Sequence, residues 1–401
     1  MNWPELDKSL VVDWLKRLVR IPSISDAAGG QEGPIQQLVM QGLAAAGAQV
    51  RSVGVDEVQG FFNHPLCHGP GRNYTNRPTV IAEMGPPDGE ALLVVAHSDT
   101  VPLFAPAEWT LDPFAAIERD GAIYGLGASD DKWGLASILA MAGALRGVKL
   151  PRKLIFASTI DEENGVCNGM LLLMLAGVKA QSALYLDGQL MQICRGNLGG
   201  SNLYLHPSED LSETQRQADI EALKKASAEW SRQRSALFDR DGFADNVIRE
   251  ISVQVMVRED DQGAIRLPFY MLPGETRPEM ENLLDQIVCS ALGQRAQLYR
   301  QSYREPWFEA SLQPADLPLV KYMESAIRSE LKQEPVVTTV SKYDGFLLTN
   351  YANIPTISFG PTMRAAGRGA YHSPDERLTI EELLGGAKVA YRAVQSWLEG
   401  S

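Results

Sequence analysis

Five short stretches of this 401-residue chain place acids or histidines where they could bind an ion or move a proton. The apolar run 92–96 leads straight into His97-Ser98-Asp99. Residues two apart on a strand point the same way, so His97 and Asp99 are expected side by side at a strand's end. A carboxylate there would fix a ligating histidine's tautomer and raise its basicity; a satisfied polar pair is the plainer explanation. Second, Gly125-Leu126-Gly127-Ala128-Ser129-Asp130-Asp131-Lys132-Trp133-Gly134 sets two aspartates before an apolar helix. One aspartate suffices to cap a helix, which leaves the other as a candidate ligand. Its glycines do not have the spacing of a phosphate loop. Third, the strand-like run 154–159 ends in Ile160-Asp161-Glu162-Glu163. Three consecutive acids repel one another unless something cationic stands beside them, although alone they read as a solvated turn. Fourth, the run 183–186 ends in Asp187, which by itself reads as a turn; fifth, His372 lies in the loop Gly369-Ala370-Tyr371-His372-Ser373-Pro374-Asp375-Glu376.

The set says more than its members. The chain has only five histidines, and two of them, His97 and His372, fall in these stretches. If the stretches converge on one rim, their carboxylates and imidazoles demand a compensating cation. Mixed nitrogen and oxygen donors suit zinc, with manganese or cobalt as alternatives. Suppose Asp130 bridged two dications, with His97 and Asp187 on one and Glu163 and His372 on the other. Such two-ion sites activate water and stabilise a developing oxyanion.

The surrounding elements are of the kind that would gather these stretches. The runs 79–82, 92–96, 153–157 and 183–186 read as strands, and the last three are apolar apart from Lys153 at the start of one, as strands buried on both faces are. Helical spacing appears at 10–19, 35–46, 135–145 and 170–175. This alternation predicts an α/β layer fold with a largely parallel sheet. After Arg195-Gly196-Asn197-Leu198-Gly199-Gly200 the texture changes to a strand at 202–205, a charged helix at 212–238, strands at 251–257 and 264–272, a helix at 277–292 and a strand at 297–303. That order is βαββαβ, the ferredoxin-like α+β arrangement. The α/β texture returns with a helix at 317–331, a strand at 356–359 and a helix at 380–398. The expected organisation is one discontinuous α/β domain, residues 1–197 and 305–401, interrupted by an inserted domain, 198–304.

Taken in order, HxDxV, GxGxxDDKxG, DEExG, the later Asp187 and YHSPDE resemble the M20 family of metallohydrolases, and the match runs over nearly the whole chain. The family includes carboxypeptidases of the glutamate carboxypeptidase type, acetylornithine deacetylases and succinyl-diaminopimelate desuccinylases. The resemblance implies His97, Asp130, Glu163, Asp187 and His372 as ligands of one or two divalent ions. It implies Glu162 as the general base that takes a proton from water and delivers it to the leaving amine, and Asp99 as the residue that orients His97. It further implies that the inserted domain is a lid and dimerisation domain, and that the Asp130–Asp131 bond is often cis. The expected activity is hydrolysis of a C–N bond in a small N-acyl amino acid or short peptide.

The inserted domain departs from the family pattern. A D-x-R-x-x-P-G stretch, whose arginine clamps a substrate carboxylate, is replaced by Pro268-Phe269-Tyr270-Met271-Leu272-Pro273-Gly274. Tyrosine cannot make a bidentate clamp, so Tyr270 faces a different substrate group or another cation takes over. The family's lid histidine corresponds to His206. Lys342-Tyr343-Asp344-Gly345 occupies the place of a glycine- and serine-rich substrate loop but matches it poorly, and His64-Pro65-Leu66-Cys67-His68 reads as a loop. Loss of the clamp motivates an alternative activity, release of ammonia from an aryl amine. A catalytically silent scaffold is disfavoured, because every ligand position and Glu162 are filled.

A net charge of −13 argues against nucleic-acid and anionic-membrane partners, which need a basic face. No apolar run reaches the roughly 20 residues of a membrane span. The start, Met1-Asn2-Trp3-Pro4-Glu5-Leu6-Asp7, lacks the basic and apolar regions of a secretory signal. Cys67, Cys167, Cys194 and Cys289 follow no metal or disulfide spacing. The expectation is a cytoplasmic homodimer, paired through the inserted domain, acting on a small molecule.

Overall fold

Helix α1 (Lys8–Val19) begins where the Asp7 carboxylate accepts the Ser9 and Leu10 amides, and it turns Val11, Trp14, Leu15, Leu18 and Val19 inward. Helix α2 (Gly33–Ala45) has Pro34 in its first turn and buries Ile35, Val39 and Leu43. The computed structural model describes residues 2–69, 71–163, 167–238, 255–259, 263–305, 307–339, 343–362 and 367–400. It divides into two units: Met1–Arg195 with Gln313–Val337 and Tyr343–Ser401, and Gly196–Leu312 with Thr338–Lys342.

In the first unit the chain continues through β1 (Gln49–Val53), β2 (Thr79–Met84), β3 (Ala91–His97), β4 (Ile117–Arg119), β5 (Ala122–Tyr124), α3 (Lys132–Ala144), β6 (Lys153–Thr159), α4 (Asn168–Leu175), β7 (Ser182–Tyr185) and β8 (Gln192–Cys194). The second unit holds β9 (Gly196–Asn197), β10 (Gly199–Pro207), α5 (Glu213–Phe238), β11 (Arg258–Glu259), β12 (Ile265–Met271), α6 (Arg277–Leu292), β13 (Tyr299–Tyr303) and β14 (Ser311–Leu312). There follow α7 (Pro318–Leu331), β15 (Val337–Thr338), α8 (Phe346–Ala352), β16 (Thr356–Gly360), β17 (Arg377–Thr379) and α9 (Ile380–Glu399).

Eight strands form one mixed sheet in the order β1-β2-β6-β3-β7-β16-β8-β15. Its centre, β6-β3-β7-β16, is parallel, while β1, β2 and β8 join antiparallel. Every residue of β3 is buried, as its unbroken apolar run requires. Helix α3 is apolar on all sides and lies buried, packed against α1, α2, α9 and β3. The edge strand β1, with three of its five residues polar, carries no continuous apolar signal, and the three-residue strands β4, β5, β8 and β17 are too short to show a period. Sequence patterning therefore missed them.

The second unit is a four-stranded antiparallel sheet, β11-β12-β10-β13, in which the strands run second, third, first, fourth in chain order. One face is packed: Leu203, Leu205, Ile265, Leu267, Phe269 and Met271 meet Ile220, Leu223, Leu284, Ile287 and Val288 from α5 and α6. The expected strand at 297–303 starts at Tyr299, after a 3-10 turn. Of the strand expected at 251–257, residues 251–254 lie outside the described residues, as do Gly165 of the third motif and Lys342. Among the described residues no helix is long and apolar enough to cross a membrane.

Candidate metal centre

Parallel pairing brings three motifs to one rim. His97 closes β3 opposite Thr159, the last residue of β6, so the acidic stretch that follows β6 leaves the sheet beside it. Val95 pairs with Tyr185 at the end of β7, which puts Asp187 on the same carboxyl edge. Open α/β sheets offer ligand sites there. Asp130 arrives from the loop that starts α3, and the Asp130–Asp131 peptide is cis. His372 comes from the loop before β17.

The side chains meet closely. His97 Nε2 lies 3.1 Å from Asp130 Oδ1; His372 Nε2 lies 3.3 Å from Asp130 Oδ2 and 2.8 Å from Glu163 Oε2. His97, Glu162 and Asp187 bring one ligand atom each to within 4.8 Å of one another, and so do His97, Asp130 and Glu163. Burial alone would lower the His97 imidazole, but Asp130 and Asp99 outweigh it and hold the ring well above its usual pKa. At His372 burial is likewise outweighed, by Glu163 and Asp130, which push it up to about 12. Burial, and then Asp130, push Glu163 up to about 8, while burial, Asp130 and Glu162 drive Asp187 well above the ordinary carboxylate range. A cluster that holds protons this tightly is short of positive charge. Glu163 Oε1 is buried with no hydrogen-bond partner. Two imidazoles and several carboxylates, with an oxygen left over, fit a divalent ion of the zinc class.

The other acids of the motifs turn away and hold backbone. Asp99 accepts the Glu162 amide at 3.2 Å and the Glu163 amide at 3.0 Å. Its carboxylate is 3.5 Å from His97 Nδ1, whereas its backbone carbonyl is 3.1 Å away, so the main chain makes the closer contact to the ring. Asp131 accepts the His97 amide at 3.3 Å. Glu376 accepts from the Gly127 and Ser129 amides and the Ser129 hydroxyl, tying the fifth motif to the second. Asp375 accepts from the Thr110 amide and hydroxyl and the Leu111 amide.

Sequence reasoning gave Asp344 and Tyr185 too little weight. Asp344 is buried beside the Tyr185 hydroxyl and Glu162, and burial pushes its carboxyl well above the usual range. An acid inside a stretch that matches its family loop poorly gives no signal of its own. His68 is buried, with its amide and carbonyl paired to the Asn168 side chain. The remaining candidates belong to the second unit. His206 Nε2 is 2.8 Å from Ser302 Oγ, and its ring stacks on Tyr204. Tyr270 sits on β12 opposite Gly200, and its carbonyl accepts from Arg234.

This rim of buried and half-buried donors on a largely parallel sheet, with a separate α+β unit, defines a metallohydrolase-like architecture. Residues 93–396 match Peptidase family M20/M25/M40, and the chain belongs to that family. It is 33% identical over 160 residues to a succinyl-diaminopimelate desuccinylase from Methylobacterium sp. (strain 4-46), a stretch covering 39% of this chain and 36% of that protein. It is 27% identical over 191 residues to an acetylornithine deacetylase from Proteus mirabilis (strain HI4320), covering 47% and 45% respectively. The matched stretch is thus less than half the length of either relative. The fold is that of the M20 family metallo-carboxypeptidase Sso-CP2 from Sulfolobus solfataricus, with a TM-score of 0.71 over 97% of this chain and 99% of that one, at 16% identity.

Proposed function

We propose that this chain hydrolyses the C–N amide bond of a small N-acyl amino acid or short peptide, using divalent metal held at the rim of β3, β6 and β7. The carrying observation is the meeting of His97, Asp130, Glu163, Asp187 and His372 with Glu162 beside them. In this reading those five residues would hold one or two ions, and Asp130 is in contact with both imidazoles. Zinc is the expected ion, with manganese or cobalt as alternatives. Bound there, the ion supplies a Lewis acid that polarises the scissile carbonyl and makes water more acidic.

Glu162 takes the proton from the attacking water and hands it to the departing nitrogen. Asp99 keeps that carboxylate in place by holding the Glu162 and Glu163 amides. His206 donates to the developing oxyanion, across a homodimer interface made by the second unit. Tyr270 packs against a substrate group other than a clamped carboxylate. The same tyrosine supports a second reading, in which the substrate is an aryl amine and the product is ammonia.

The test is a mass-spectrometric screen of metal-loaded enzyme against pooled N-acyl amino acids, dipeptides and aryl amines, with Glu162→Gln beside it. Release of a free amino acid by the wild type alone supports the amide reading and names the acyl group. Ammonia release from an otherwise unbroken skeleton replaces it with the second reading, and no turnover of any class refutes both.

A further inference from the structure

Behind the proposed catalytic acids lies a second charged cluster, wholly buried. Asp161 Oδ1 accepts from Arg72 Nη2 at 2.7 Å, Arg77 Nη2 at 2.5 Å and Ser25 Oγ at 2.9 Å. Arg77 also forks onto Glu32, with two bonds of 2.6 Å. The guanidinium of Arg72 is further held by the Asp26 and Gly29 carbonyls, and Arg77 Nη1 by the Asn73 carbonyl at 2.7 Å. Two arginines and two acids balance in charge, and all four side chains are almost completely excluded from solvent. Such a cluster is weak evidence for stability, since apolar side chains of similar volume often do as well. What it fixes is geometry.

Asp161 is the residue immediately before Glu162 and Glu163. Its backbone is left-handed, with φ of 61°, a conformation that a non-glycine residue keeps only when its surroundings impose it. The three donors on its carboxylate impose it here. The same stretch of chain also grips the far side of the acidic loop. Asn168, which opens α4, donates to the His68 carbonyl at 2.7 Å and to the Tyr74 hydroxyl at 2.5 Å, while its Oδ1 accepts the His68 amide at 3.2 Å. The Tyr74 ring lies under the Arg77 guanidinium. The Cys167 amide closes onto the Asp161 carbonyl at 3.1 Å. Arg72 and Arg77 therefore hold Asp161, and His68 and Tyr74 hold Asn168, on either side of the two glutamates in the chain.

We propose that Arg72 and Arg77 are positioning residues which, through Asp161, set where Glu162 and Glu163 emerge from β6 and thereby set ion affinity and turnover. The inference rests on the metal-dependent reading given above and extends it to residues remote from the ligand set. Partners of ligating groups, when removed, typically cost about 10- to 100-fold in metal affinity or activity.

The test compares Arg72→Met and the charge-balanced double variant Glu32→Gln/Arg77→Met with the wild type. Zinc affinity is read by competition with a chromophoric chelator, turnover by kcat and KM, and loop position by hydrogen exchange in the peptide containing Glu162 and Glu163. The double variant removes an acid and a base together, so thermal stability is read separately from position. Positioning predicts zinc binding weaker by about 10- to 100-fold, a comparable fall in kcat with KM within about twofold, and faster exchange of the Glu162 and Glu163 amides. Arg72→Lys, which keeps the charge but not the spread of guanidinium donors, should recover part of the loss and serves as the readable variant if Arg72→Met does not fold. Wild-type affinity, kcat and exchange in variants whose melting temperature alone has moved would overturn the proposal. A wild-type chain that bound no zinc, manganese or cobalt would instead sink the metal-dependent reading, and the exchange comparison would still decide the positioning role.

Discussion

Gly169, one residue into α4, tests whether the sheet rim is as tightly placed as the proposed chemistry requires. The helix crosses the end of β6 so closely that a Cβ on Gly169 would lie 2.2 Å from the Ile160 carbonyl oxygen and 2.3 Å from its nitrogen. Both are main-chain atoms, so no side-chain rotation can relieve the overlap. Restoring ordinary contact needs a displacement of about 1 Å of α4 or of Ile160. Ile160 is the residue before Asp161-Glu162-Glu163, and the strain reaches Glu162 through two peptide units and Glu163 through three.

Overpacking of this kind costs about 1–3 kcal/mol of stability, which a domain with this large a core should survive. A misplacement of about 1 Å at a reacting group costs about 100-fold in rate, equivalent to about 2.7 kcal/mol of barrier. Gly169→Ala is therefore expected to fold, to lose about two orders of magnitude in kcat/KM on whichever substrate the screen identifies, and to bind zinc more weakly through Glu163. Gly143→Ala is the matched control. It lies in α3 with only Leu10 Cδ2 at 3.4 Å from the added methyl, so it should leave activity unchanged and gain about 0.5–1 kcal/mol from helix propensity. A Gly169→Ala protein with wild-type kcat/KM and zinc affinity would refute the reasoning, because it would mean that the rim tolerates displacement.

Removing metal with a chelator should abolish turnover and lower the melting temperature, and adding back zinc, manganese or cobalt in separate aliquots should show which ion restores both. Mixing Glu162→Gln and His206→Ala subunits should regain activity that neither variant has alone if His206 acts across a dimer; absence of rescue removes that role. For Asp375, burial would raise the carboxyl, but the Thr110 hydroxyl and amide, Arg368 and the Leu111 amide outweigh it and hold it below its ordinary value of 3.8. A lowered acid stabilises the fold above its unfolded pKa and loses that contribution as pH falls through the folded one. The gap in melting temperature between wild type and Asp375→Asn should accordingly be full at pH 6 and close as pH drops below about 4. A gap that stays constant down to pH 2 would show that the charge of Asp375 is not what anchors Thr110.

How far the sequence reveals the site depends on what each acid is for. The rim was legible because its strands are: an apolar run buried on both faces, as in β3 and β6, ends where the chain turns polar, and His97 and the Asp161-Glu162-Glu163 stretch sit at those ends. Strands without that signature, β1 on the edge and the three-residue β8 and β17, were not. Within the motifs, identity and spacing cannot say which of two neighbouring acids aims inward. In this chain four of the inward groups have a neighbour that holds main chain or a buried base. His97 is paired with Asp99, which clamps the Glu162 and Glu163 amides, and Asp130 with Asp131, which clamps the His97 amide. Glu163 is paired with Asp161 on its arginines, and His372 with Glu376 on the Gly127 and Ser129 amides.

These anchors cross between motifs: the first holds the third, the second holds the first, and the fifth holds the second. That cross-linking explains why acids accumulate here beyond the number that a metal site needs. It also explains why Arg72 and Arg77 escaped sequence reasoning. They lie in the long connection between β1 and β2, far from every motif, and only the closed fold brings their charges to Asp161. A site assembled from residues so distant in sequence needs each backbone segment fixed by another, because a ligand placed by its own loop alone would wander by more than the bond lengths of an ion allow.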